Sequence, residues 1–91
     1  MRYRVQVKRS AQRVLGQLPA PVRDALITAI DGLADNPRPP GTKKLEGALG
    51  LYRVRVASRY RIVWSIKDRA SEVLVVLAGA RKDVYRGLRR T

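Results

Sequence analysis

Tyr3, Val5 and Val7 alternate with Arg4, Gln6 and Lys8 at the start of the chain. That period of two marks a strand with one covered face. The period then lengthens. Ala11, Val14, Leu15 and Leu18 follow helical spacing, with Ser10 placed to cap a short helix and Pro19 to stop it. Pro21 suits the first turn of a second helix, whose Val22, Leu26, Ile30 and Leu33 make one apolar stripe. Asp24 near its start complements the helix dipole. Asn36-Pro37, Pro39, Pro40 and Gly41 end this helix and open a loop. Two such helices form a hairpin that needs a sheet to cover its apolar faces.

The remaining pattern supplies that sheet. Leu51–Val56, Tyr60–Ile66 and Glu72–Ala78 read as three strands at hairpin spacing. The last holds Val73, Leu74, Val75, Val76 and Leu77 in succession, which predicts a central strand covered on both faces for part of its length. Parity also predicts the register. Val54 and Val56 must share the core face with Tyr60, Ile62, Trp64 and Ile66, so the Ala57–Arg59 connection needs an odd number of residues or a bulge. A two-residue turn would set Val54 against Arg61 and bury a charge. The odd loop pairs Arg55 with Arg61 on the outer face and groups Arg53, Arg55 and Arg61. The expected fold is α+β, in the order β-α-α-β-β-β. A small, twisted, mainly antiparallel four-stranded sheet packs on an N-terminal helical hairpin, with residues 1–91 forming one domain.

Composition narrows the chemistry. The formal charge is +13, and fifteen of the twenty basic residues are Arg, whose planar fork suits phosphates and carboxylates. There is no His and no Cys. Imidazole catalysis, thiolate chemistry, disulfides and His- or Cys-ligated metal are thereby excluded, and neither metal nor cofactor is expected. The longest apolar run, Val73 to Ala80, is far short of a membrane span, and Met-Arg-Tyr-Arg-Val opens no signal-peptide core. A soluble, cytoplasmic protein is the expectation.

The segment Tyr52-Arg53-Val54-Arg55-Val56-Ala57-Ser58-Arg59-Tyr60-Arg61 concentrates the charge. Two arginines alone would only guard an edge strand against aggregation. With Arg61 on the same face, and Arg81 and Tyr85 following the last strand, the pattern points to an anionic ligand. Tyr52, Tyr60 and Trp64 read as packing residues. Glu46-Gly47 reads as a turn before a strand. Lys43 and Lys44 are either loop charges or contacts that track an RNA backbone.

Four segments in this order resemble the RelE/ParE superfamily of bacterial toxins from type II toxin–antitoxin pairs. They are Lys44-Leu45-Glu46-Gly47, Tyr52-Arg53-Val54-Arg55-Val56, Tyr60-Arg61-Ile62-Val63-Trp64 and Arg81-Lys82-Asp83-Val84-Tyr85-Arg86. The resemblance spans essentially the whole chain. It implies a twisted sheet on a helical hairpin and a cognate antitoxin whose acidic or amphipathic segment wraps and silences the toxin. The RelE-like branch implies cleavage of messenger RNA in the ribosomal A site, by attack of a ribose 2′-hydroxyl on the adjacent phosphate. Carried over position by position, its catalytic set falls on Arg53, Arg55, Arg61, Arg81 and Tyr85. Lys43, Lys44, Lys82 and Arg86 are the accompanying candidates for RNA binding.

One departure bears on mechanism. The best-known RelE-like enzymes carry Lys where this chain has Arg53 and Arg55, and Arg essentially never gives up its proton. Activation of the 2′-hydroxyl then falls to Tyr85, to Lys82, or to positioning by ribosomal RNA. The alternative within the superfamily is a ParE-type inhibitor of DNA gyrase, with the same fold and no nuclease activity.

Overall fold

A computed structural model describes residues 2–45, 50–80, 82 and 84. Strand β1 (Arg4–Val7) is followed by helices α1 (Arg9–Gly16) and α2 (Ala20–Gly32), the pair-forming Lys43–Lys44 (β2), and strands β3 (Leu51–Val56), β4 (Tyr60–Lys67) and β5 (Glu72–Ala80). A 3₁₀ turn, Asp68–Ala70, joins the last two strands. No described helix is long and apolar enough to cross a membrane.

The helices start differently from the expectation. Lys8 occupies the N-cap of α1 with no side-chain cap, and Ser10 lies inside the helix. The helix ends at Gly16, before Pro19, and Pro19 is itself the N-cap of α2. Pro21 does fall in the first turn of α2, where its missing N–H costs nothing, but Asp24 lies beyond that turn. The apolar stripe holds: Leu26, Ile30 and Leu33 are buried, with Val22 packed beside them.

The sheet has five strands rather than four, in the order β1-β5-β4-β3-β2. β1 runs parallel to β5, and the other neighbours are antiparallel. The additional strand is two charged residues long, too short to carry any periodicity. It also shifts the middle of the sheet from β5 to β4, although β5 remains an interior strand. The run buried without interruption is Arg61–Val63–Trp64 with Ile62, on β4.

The hairpin register is the expected one. Three residues, Ala57 to Arg59, connect β3 to β4, so Arg55 faces Arg61 and Val56 faces Tyr60. Below the sheet, Ile62, Trp64, Val73, Val75 and Ala78 meet Ala11, Leu15, Leu26, Ile30 and Leu33 in the main core. A second, smaller core occupies the opposite face: Leu51, Val63 and Val84, with Leu45, Val76 and Leu77 against them. A bulge makes it possible. Trp64 pairs with Val75 and Val63 with Leu77, so Val76 is an extra residue. Such an insertion turns two successive side chains toward one side of the sheet.

Candidate functional site

The outer face is a grid in which cross-strand partners share a side. Lys43 pairs with Arg53, and Arg53 with Val63. On the next rung, Arg55 pairs with Arg61, and Arg61 with Gly79. Lys43, Arg53, Arg55 and Arg61 therefore project from one face of three adjacent strands. Arg55 and Lys43 are exposed and Arg53 is half-buried, whereas Arg61 retains only 3% of its accessible surface. Like charges opposite one another destabilise a sheet, and an anion laid across them removes that cost.

The two lysines of β2 separate. Lys44 pairs with Tyr52, a residue of the helix-side core, so its side chain leaves from the face opposite Lys43. The structure joins Lys43 to the arginines and keeps Lys44 apart. Lys82 is exposed just after β5, two residues before the buried Val84. Arg81, Tyr85, Arg86 and Glu46 lie outside the described residues.

Among the described residues, ion pairs join Arg2 to Asp35 at 3.2 Å, Arg4 to Glu72 at 2.9 Å and Arg38 to Asp68 at 2.9 Å. None of these draws on Lys43, Arg53 or Arg55. Also among the described residues, no three His, Cys, Asp or Glu side chains gather to hold a metal ion. A groove of about 850 Å³ runs between β1 and the helices, walled by Val5, Val7, Leu15, Ile27 and Ile30. Its apolar walls carry none of the cation rungs.

Sequence reasoning missed the residues that brace β2. Arg38, in the proline-rich loop before that strand, donates to both oxygens of Asp68, at 3.2 and 2.9 Å. Tyr3 donates its hydroxyl proton to the same carboxylate at 2.7 Å. The Arg38 guanidinium lies 5.2 Å from the Tyr52 ring centroid, and Tyr52 stacks on Trp64 with centroids 6.3 Å apart. Trp64 Nε1 donates to the Pro37 carbonyl at 3.0 Å and so fastens the same loop from inside. Arg38, then Tyr3, holds the Asp68 carboxyl below the usual aspartate range, and the hydrogen bond to Asp68 pushes the Tyr3 hydroxyl up. These partners are 30 and 65 residues apart. No local pattern signals such pairing.

Neither a protein-family model nor a curated protein matches the sequence. Solved structures do. The RelBE2 toxin–antitoxin complex of Mycobacterium tuberculosis contains a chain 26% identical, with a TM-score of 0.76, covering 89% of this protein and 100% of that chain. A mutant of the Escherichia coli toxin RelE in its free state is 26% identical over 99% of this protein and 98% of that chain, with a TM-score of 0.78. The archaeal RelE–RelB complex from Pyrococcus horikoshii gives 27%, 89%, 97% and 0.76 in the same terms. Likeness runs through nearly the full length of each chain, so the protein has the RelE-like fold and is similar to toxins of the RelE/ParE superfamily.

Proposed function

We propose that this protein is the toxin of a toxin–antitoxin pair and cleaves messenger RNA in the ribosomal A site, acting in the cytoplasm. The observation that carries this reading is the double rung Lys43–Arg53 and Arg55–Arg61 on one sheet face. The solved RelBE and RelE–RelB complexes support a cognate antitoxin as the partner that silences it. An acidic or amphipathic antitoxin segment suits a face of this charge.

The chemistry follows from the charge. A ribose 2′-oxygen attacks the adjacent phosphorus as its proton leaves, the bond to the 5′-oxygen breaks, and that oxygen takes up a proton. Negative charge grows on the non-bridging oxygens. Guanidinium forks set there in advance stabilise it, and losing one such donor costs about 3 kcal/mol of activation energy. Arg61 suits this role because its burial weakens competition from water. Arg53, Arg55 and Lys43 hold the flanking phosphates. Arg81 is assigned a second transition-state contact, and Tyr85 either stacks on a splayed base or moves a proton. With Arg at positions 53 and 55, proton removal is left to Tyr85, Lys82 or ribosomal RNA.

Primer extension on messenger RNA in translating ribosomes tests the reading directly. Cuts within A-site codons are expected for the protein and are lost in Arg61→Ala and Arg81→Ala. Growth arrest without any cuts would reject the nuclease and make DNA supercoiling by gyrase the next assay.

A further inference from the structure

Strand β2 lies at an edge of the sheet, where its own pairing holds it weakly. Among the described residues it meets β3 through Lys43 and Lys44, with one hydrogen bond beyond them, from the Leu45 N–H to the Leu51 carbonyl at 2.8 Å. One of its rungs sets Lys43 against Arg53, and like charges directly opposite one another push strands apart. The loop before β2 supplies the opposing force. Trp64, fully buried, holds the Pro37 carbonyl through its indole N–H at 3.0 Å. Arg38 grips both oxygens of Asp68 and lies over the ring of Tyr52, the residue paired with Lys44. A lone exposed ion pair contributes little, but a two-pronged one shared with Tyr3 and a ring fixes geometry. The chain from that anchor to Lys43 is stiff. Pro39 and Pro40 have their φ angles set by the ring, and the Thr42 N–H donates to the Pro39 carbonyl at 3.1 Å.

We propose that Arg38 is a positioning residue for Lys43: by gripping Asp68, it holds Lys43 on the rung opposite Arg53 against the repulsion between them. Its own guanidinium is committed to Asp68 and Tyr52, so it acts through Lys43 and not on the RNA. Tyr52 packs on the helix-side core, so the brace reaches the cation face from behind. Holding a phosphate contact in place beforehand removes an ordering cost from the complex. The inference rests on the reading that RNA lies across the two rungs.

Binding of a single-stranded RNA oligonucleotide to the full chain at several salt concentrations tests it. Asp68→Ala removes the anchor, keeps every cation and makes the net charge more positive. If total charge governed binding, the slope of log affinity against log salt would stay or steepen. Release of Lys43 should instead make it shallower, by up to about 0.7, the share of one phosphate contact on a single strand. Adding Lys43→Ala to Asp68→Ala should then change nothing further, although Lys43→Ala alone shifts the parent. Arg38→Gln gives the same comparison if Asp68→Ala does not fold, because Lys43→Ala should again add nothing in that background. Asp35→Ala breaks the Arg2 pair and alters the charge equally, and should not make the slope shallower. A parent-like or steeper slope in Asp68→Ala would overturn the inference, as would a full Lys43→Ala effect in either background. So would a shallower slope in Asp35→Ala, which would trace the effect to any lost ion pair, or no effect of Lys43→Ala in the parent. A flat slope in the unaltered protein would reject the RNA reading itself, a result visible without any variant.

Discussion

The Asp68 carboxylate accepts one hydrogen bond from Tyr3 and two from Arg38, so the first strand, the loop before β2 and the turn before β5 meet at one charge. Folding favours the ionised carboxylate, chiefly through Arg38 and then Tyr3, and its pKa is lowered. That contribution is present above the ordinary aspartate range and is lost as pH falls through the lower folded value. Tyr3 works in the opposite direction, because its pKa is raised by the bond to Asp68. Its share is present below the ordinary tyrosine value and disappears as pH rises through the folded one. Asp68→Asn should therefore lower the thermal midpoint at neutral pH, and the gap to the parent should close in strong acid. Thermal unfolding across the acid range reads this, and a gap independent of pH would remove the carboxylate's charge from the account. Trp64 makes the inner fastening. Trp64→Phe keeps a ring in the main core but strands the Pro37 carbonyl, at a cost of about 1–3 kcal/mol in urea unfolding followed by circular dichroism.

Parity made the β3–β4 hairpin legible, because one residue more or less in its loop would exchange the valines for the arginines across the sheet. The loop itself is strained. Ala57 and Ser58 hold φ angles of 49° and 58° without being glycine. A left-handed residue with a Cβ costs about 1–2 kcal/mol, part of which glycine forfeits by loosening the unfolded chain. Ser58→Gly should raise stability by about 0.5–1 kcal/mol in chemical unfolding, and a loss would show that the serine side chain does more than occupy the turn. Gly79 shows the converse. Its φ is 143°, and an added Cβ would lie 3.1 Å from Val14 Cγ1, so Gly79→Ala should cost about 1–3 kcal/mol. What escaped the sequence did so for physical reasons. Lys43–Lys44 is too short to show a period, and the unbroken run Val73 to Leu77 has no polar marks by which an extra residue could be seen. The Ser10 cap failed because the helix already begins at Arg9, so Lys8, two residues before Ser10, takes that place.

At the scale of the molecule, Lys43, Arg53, Arg55 and Arg61 share the β2–β3–β4 part of the outer sheet face. The ion pairs of Arg2, Arg4 and Arg38 with acidic residues, among the described residues, do not draw on Lys43, Arg53 or Arg55. The cationic grouping of Arg53, Arg55 and Arg61 was readable from alternation alone. The contribution of Lys43, and the separation of Lys44 from it, required the strand pairing. This difference gives a test that composition cannot mimic, because both lysines carry the same charge and are adjacent. Each phosphate neutralised on a single strand adds about −0.7 to the slope of log affinity against log salt. If RNA lies across the two rungs, Lys43→Ala should make that slope shallower by about 0.7, while Lys44→Ala should leave it nearly unchanged. Titrating a single-stranded RNA against the protein and both variants at several salt concentrations gives the slopes. Equal effects from the two lysines would mean that the chain's overall charge, rather than this face, attracts the RNA. A slope near zero in the unaltered protein would favour a protein target, since a few charge pairs at a protein interface depend on salt far less steeply than counterion release from a polyanion.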